Sequence, residues 1–433
     1  MKIISITSIA NITLRFTLLL IPLTVILYDS GVVFPFITPK LFAFQGILLF
    51  DSFILLLIWL SPRGSIDLLK LAQTPLFYCH LLLLATMGVS SLFAYNQFVS
   101  LWGTVERGEG FVFYIFITLY LILLHYGLDK KLLNLIMSEF VLIGWILIIV
   151  EFFQFANGQY RPGSLLNNPT FLSSFFLFTL SCAWWLFEQG TQKKITREYK
   201  IFILISLLVF FTGIVLSGTR TTLGVMILTF ILLYFLSDNF KKMINPSLMY
   251  VAPSLVLFGI AMYYSSSNNS LVRILNFNMD DITFNSRLIN YKIAIDSVSP
   301  FEHEFKRLIW GWGLENFSFA WDHAYKSIIS KFEPYPFDRA HNKFLDLLVM
   351  NGLVGLICFF LFWLEILKAL LKKYPLMIRG QNSTLQNKSV GLALWFAFIS
   401  HFFEYLSSFE SYSNYLGFYF LVGILLIKNE NCF

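Results

Sequence analysis

The chain has 433 residues, 57% of them hydrophobic, 18% aromatic and only 13% charged, with a formal net charge of +6. A mean hydropathy of +0.71 over that length excludes a water-soluble globule and predicts an all-α polytopic membrane protein. The basic surplus points to no nucleic-acid partner and has meaning only once its carriers are assigned to sides of the bilayer.

A hydrocarbon core of about 30 Å takes about 20 apolar residues in a helix. By that measure twelve spans are predicted, near 10–28, 40–60, 75–93, 111–127, 132–153, 169–187, 200–217, 221–236, 247–264, 344–371, 389–407 and 412–428. The first has one leading Lys2 and no small-residue cleavage signature, so it reads as a retained span and not a removed signal. The seventh and eighth are divided at Ser217-Gly218-Thr219-Arg220. With the N-terminus inside, 17 Lys and Arg fall on the inner side and four (Lys40, Arg107, Arg161 and Arg220) in short outer loops, the asymmetry expected of twelve spans with both termini inside.

One membrane domain is therefore expected over 1–433, with a large periplasmic insert at 265–340 between spans nine and ten. In the insert, Leu288, Tyr291, Ile295 and Val298 share a face, which predicts an amphipathic helix on the outer membrane surface. Leu308-Ile309-Trp310-Gly311-Trp312-Gly313 reads as a turn anchored by interfacial tryptophans. Cys79, Cys182, Cys358 and Cys432 are scattered and read as packing residues.

Chemistry is expected on the outer side. The short outer loops hold three Arg and one Lys, whereas the inner face is mostly Lys, and the planar guanidinium grips phosphate oxygens with two bonds. Arg220 precedes a new helix by one or two residues, where free N–H groups also favour an anion; a capped helix start with a snorkelling arginine is the alternative. Arg287 has the same two readings, phosphate grip or solvated helix face. Arg107 lies between Glu106 and Glu109, which would neutralise it as readily as a phosphate would.

His341, in Asp338-Arg339-Ala340-His341-Asn342, stands at the mouth of the tenth span. A helix N-terminus disfavours the imidazolium and keeps a base ready for a hydroxyl proton. If the helix starts early, Asp338 shares a face with His341 and orients the ring. A polar residue at headgroup level is the bland alternative. Gly352 and Gly355 further along are expected to let helices approach closely. Glu302-His303-Glu304, Asp322-His323 and Asp280-Asp281 lack metal-ligand spacing, so no metal is expected. His401 and Glu404 are ionisable groups within a span and are expected to be functional or to pair with each other.

Together these stretches resemble the O-antigen ligase and O-antigen polymerase superfamily of bacterial inner-membrane glycan transferases. His341-Asn342, nine residues, Gly352, two residues, Gly355 fits the ligase pattern. Ser217-Gly218-Thr219-Arg220 is similar to the arginine turn after the seventh span, Arg287 to the arginine of the periplasmic helix, and Gly311-Trp312-Gly313 to a recurring loop turn.

The resemblance implies a GT-C-like fold and a metal-independent, inverting transfer without cofactors. A glycan would move from an undecaprenyl-diphosphate carrier to a sugar hydroxyl of lipid A core, at the periplasmic face of the inner membrane. Arg220 and Arg287 would neutralise the diphosphate and His341 would be the general base. Arg107, Arg161, Arg339 and Asn342 are expected as further phosphate or acceptor contacts on side and residue type. A polymerase or a protein glycosyltransferase would use the same donor. A transporter would bury charge at mid-bilayer along a pathway and often show paired halves, and neither is visible in the sequence.

Overall fold

The computed structural model describes residues 6–60, 67–192, 196–236, 282–324, 337–375 and 386–427. Sixteen α-helices follow in chain order among them. Before the insert these are α1 (Ile6–Leu23), α2 (Thr38–Leu60), α3 (Leu68–Ala72), α4 (Pro75–Leu92), α5 (Gln97–Trp102), α6 (Phe111–Gly127), α7 (Lys130–Ala156), α8 (Pro169–Gln192), α9 (Arg197–Leu216) and α10 (Arg220–Leu236). The insert contributes α11 (Ile282–Asp296), α12 (Phe305–Trp310) and α13 (Phe317–Ala324), and α14 (Lys343–Lys373), α15 (Gln386–Glu404) and α16 (Tyr412–Leu426) complete the bundle. No strand occurs among the described residues.

Among the described residues, seven helices are long and apolar enough to cross a membrane, and α6, α10, α15 and α16 are shorter apolar helices. They coincide with every predicted span but the ninth, at 247–264, which lies outside the described residues, as do Asp280, Asp281 and Cys432. The chain is a polytopic membrane protein. The predicted break between spans seven and eight is real. Gly218 takes φ +61°, a left-handed turn that glycine makes without steric cost.

The last helix is the centre of the bundle. Every residue of α16 is buried, the signature of a helix surrounded on all sides by protein. It packs on α6, α8 and α14. Two of its tyrosine hydroxyls are satisfied from the chain just after α1 and from α6, Tyr412 Oη meeting Thr24 Oγ1 at 2.5 Å and Tyr415 Oη meeting Tyr114 Oη at 2.9 Å.

The longest helix, α14, runs along α4 and is kinked at Gly352 (φ +67°, ψ −173°). In an unbroken helix the carbonyls of Val349 and Met350 would accept from residues four further on. Here Trp312 N donates to Val349 O at 2.8 Å and Gly313 N to Met350 O at 2.9 Å, and Ser90 Oγ donates to Met350 O at 2.6 Å. The Gly311-Trp312-Gly313 turn thus supplies the donors that the kink removes. Contact is backbone to backbone. A Cβ on Gly352 would stand 2.2 Å from Ile309 O, and one on Gly311 (φ +76°) 2.5 Å from the Met350 carbonyl.

As expected, Gly352 lets a helix approach closely, here α12 through Ile309 and Trp310, and it does so at a kink; the nearest neighbour of Gly355 is Asn351 of its own helix. Two expectations are corrected by this arrangement. Trp312 is buried, its Nε1 donating to Ser297 O at 2.9 Å, so it is a core residue and not an interfacial anchor. On α11 and the two residues after it the buried positions are Asn290, Ile293, Ala294, Ser297 and Val298; of the predicted face Val298 is thus buried, whereas Leu288 and Ile295 are exposed. The helix is therefore docked onto α13 and α14 through a small second core with Trp312, Phe317, Trp321 and Val349. Gly352→Ala should lower the unfolding free energy by about 1–3 kcal/mol, read as earlier thermal unfolding in detergent. An unchanged transition would mean that the kink is not needed.

Candidate functional site

The segments joining helices at one end of the bundle pack together. Tyr95 N donates to Trp312 O and Asn96 N to Asn316 Oδ1, Arg107 pairs with Asp338, and Phe171 lies edge-on to Phe409. Arg161 Nε reaches Ser217 O at 3.4 Å, in the turn that carries Arg220, and Thr219 Oγ1 donates to Pro169 O. All seven residues expected at the site, Arg107, Arg161, Arg220, Arg287, Arg339, His341 and Asn342, belong to this end. The opposite end is closed by Arg15–Asp129, His125 to Leu426 O and Lys373 to Ile427 O.

His341 lies outside the helix. α14 begins at Lys343, and Asn342 is its N-cap, Oδ1 accepting from Phe344 N at 3.0 Å and Leu345 N at 3.2 Å. Asn342 Nδ2 donates to Leu406 O at 3.1 Å, so its side chain is committed to capping and to the 405–411 link. Asp338 shares no helical face with His341, because the helix starts after both.

The His341 backbone is left-handed (φ +59°), a conformation that costs energy outside glycine and persists only where the surroundings hold it. Its ring is held between Phe337, 5.7 Å away edge-on, and Phe409, 5.0 Å away. Burial pushes the imidazole down to about 4, and the charges of Arg287 and Arg107 push the same way against Asp338. The ring is neutral at pH 7.

Two arginines close to this ring in space are held by carboxylates. Arg107 pairs with Asp338, not with its neighbours Glu106 and Glu109, and its guanidinium lies 4.5 Å over the Phe409 ring. Burial would raise the Asp338 carboxyl, but Arg107 and Arg339 outweigh it and hold the group below its ordinary value. Arg339 is 4% exposed and bridges Glu109, at 3.2 Å, and Glu315. Burial holds the Glu109 carboxyl above the usual range against the pull of Arg339, with Glu315 adding to the rise. Arg339 therefore ties the 103–110 loop, the insert and the mouth of α14 together. Its replacement by Ala strands two buried carboxylates and should cost about 3–5 kcal/mol of stability, measured as loss of the folded protein on heating. A stable Arg339→Ala protein with altered substrate affinity would reverse this assignment.

Behind His341 is a buried network that the sequence reading missed. Lys343 Nζ is 3.0 Å from Glu410 Oε2 and also donates to Tyr415 Oη. Glu410 Oε1 accepts from Tyr405 Oη at 2.9 Å and meets His401 Nε2 at 3.0 Å. Burial would raise the Glu410 carboxyl, but the Lys343 charge and the His401 contact hold it at about 2. His401 and Glu404 do not pair. Glu404 Oε1 instead accepts from Ser174 Oγ at 2.7 Å and Thr222 Oγ1 at 3.2 Å. Thr222 is in the first turn of α10, so the 404–411 stretch ties the Arg220 turn to the His341 cap. A lone acidic residue in the short link between two apolar helices was the available signal for Glu410.

His303 and His323 both pack their rings on Trp312. No group of three or more His, Cys, Asp or Glu able to hold a metal occurs among the described residues.

Residues 205–360 match the model of a family described as O-antigen ligase. That stretch contains Arg220, Arg287, Arg339, His341 and Asn342, while Arg107 and Arg161 lie before it. No curated protein matches the chain.

Proposed function

With an O-antigen ligase-like family supported over 205–360, we propose that this membrane glycosyltransferase moves a glycan from an undecaprenyl-diphosphate carrier to a sugar hydroxyl of lipid A core. The site faces the periplasm and the protein lies in the bacterial inner membrane as one GT-C-like membrane domain, with 265–340 as the periplasmic insert. The observation that carries the reading is the His341 ring, neutral and fixed between two phenylalanines. It stands at the end of the bundle where Arg161 reaches the Arg220 turn.

In this reaction the acceptor oxygen attacks the anomeric carbon of the donor sugar, and the bond from that carbon to the diphosphate oxygen breaks with its electron pair. The acceptor's hydroxyl proton passes to an imidazole nitrogen of His341. One displacement inverts the anomeric centre. Charge grows on the departing diphosphate, where fixed guanidinium groups act most strongly; Arg220 and Arg287 have that role. Arg161 supports the Arg220 turn through Ser217 O, Arg107 adds positive charge near His341, and Arg339 and Asn342 position the histidine's backbone. The donor is already activated, so neither metal nor nucleotide is required.

Acceptor choice is tested by giving purified protein the lipid-linked donor with either lipid A core or a second lipid-linked donor. Modified core is expected. A lengthened donor with untouched core would make the protein a polymerase, and a glycosylated protein substrate would make it a protein glycosyltransferase.

A further inference from the structure

Lys40, in the first turn of α2, is 1% exposed. Among the described residues its Nζ makes one hydrogen bond, to Leu165 O at 2.7 Å, and no carboxylate lies within ion-pair distance. An ammonium has three donors, and a buried charge with no counter-ion is costly to keep. The side chain lines a narrow cleft together with Arg107, Glu109, Phe171 and Ser411. Glu109 is engaged by Arg339, and Ser411 Oγ is buried without a hydrogen-bond partner. One wall adjoins the histidine site. Phe171 packs on Phe409, and Phe409 carries both the Arg107 guanidinium and the His341 ring.

We infer that the cleft is an anion subsite in which Lys40, with Arg107 and Ser411, binds phosphate oxygens of a substrate. Lys40 supplies a point charge with two N–H donors to spare, Arg107 a guanidinium already oriented by Asp338 and Phe409, and Ser411 a hydroxyl. A phosphate seated there would give Lys40 the counter-charge that no described residue supplies. The inference rests on the proposed transfer reaction, and the phosphate belongs either to the lipid-linked donor or to a phosphorylated acceptor.

The test uses full-length protein in nanodiscs, with Lys40→Met and Lys40→Arg. Undecaprenyl diphosphate without glycan serves as the binding probe for the donor, and transfer is followed with phosphorylated and dephosphorylated acceptor. Loss of a charge-assisted contact should weaken the affected substrate about 10- to 100-fold, while Lys40→Arg retains most of the affinity. If the donor is the source, Lys40→Met weakens the probe. If the acceptor is the source, Lys40→Met raises KM only for the phosphorylated acceptor. Removing an uncompensated buried charge should leave the melting temperature equal or higher. A Lys40→Met protein that melts earlier yet binds the probe and both acceptors normally would make Lys40 a structural tie to Leu165 and overturn the inference. Failure of the wild-type protein to bind the probe or to transfer glycan would instead count against the proposed reaction.

Discussion

His341→Ala is expected to lower kcat/KM for glycan transfer by about 10²- to 10⁴-fold, with insertion and melting close to wild type. The side chain makes ring contacts with Phe337 and Phe409 and, among the described residues, no hydrogen bond, whereas the cap that starts α14 belongs to Asn342. Its removal therefore takes away a base and little else. The pH dependence adds a second readout. The active form is the neutral ring, and burial with the nearby arginines holds it at about 4, so the acid limb of kcat/KM should lie near 4 and well below the ordinary histidine value. Replacing Arg287 by Gln removes one of the charges that push the ring down, and the acid limb should then move up. A limb that stays in place in that variant, or activity that survives in His341→Ala, would mean that another group takes the proton.

Arg220→Ala should cost about 10²- to 10³-fold in kcat. The argument is positional. Arg220 is the first residue of α10, next to the left-handed Gly218, and its turn is fixed by Thr219 to Pro169 O, Arg161 to Ser217 O and Thr222 to Glu404. A guanidinium on a turn tied down at three points is preorganised for a developing charge and loses little freedom when the diphosphate leaves. Because the ties come from neighbouring residues, the Ala variant should keep the turn. Arg220→Lys should recover only part of the rate, since a point charge cannot reproduce the two-bond grip. A change confined to KM, with kcat intact, would mean that Arg220 binds the ground state and the transition state equally and contributes nothing specific to the departing charge.

Much of this was legible in the sequence because the bilayer imposes a length rule. Spans such as α7 and α9 follow from apolar runs of sufficient length, and the break at Gly218 follows from a residue that alone makes such turns easily. That Arg107, Arg161 and Arg220 gather at one end of the bundle was also legible, since the span count puts their three loops on the same side.

Partner identity was not legible, because pairs such as Arg107–Asp338, Arg339–Glu315 and Lys343–Glu410 join residues far apart in sequence or on different elements. The spacing of Asp338 and His341 suggested a shared face only by assuming an early helix, which the Asn342 cap rules out. For α11, periodicity found the helix and the buried Val298 just after it, but it also put the exposed Leu288 and Ile295 on the contact face. Its small and polar residues Asn290, Ala294 and Ser297 are the ones that fit against Trp321 and Trp312, Trp321 Nε1 donating to Asn290 Oδ1 at 3.0 Å. The Gly352 kink was likewise unreadable, since only the docked Gly311-Trp312-Gly313 turn distinguishes it from a small-residue helix contact.

The central claim, that His341 takes the acceptor's proton as a lipid-linked glycan is transferred, is tested most directly by single-turnover assay. Purified protein in nanodiscs would receive undecaprenyl-diphosphate glycan and lipid A core, with free undecaprenyl diphosphate and modified core followed together. Equal, simultaneous appearance of the two products by the wild-type protein, and neither by His341→Ala despite normal donor binding, is the expected result. Modified core formed at the wild-type rate by His341→Ala, or no transfer by the wild-type protein with both substrates bound, would contradict it.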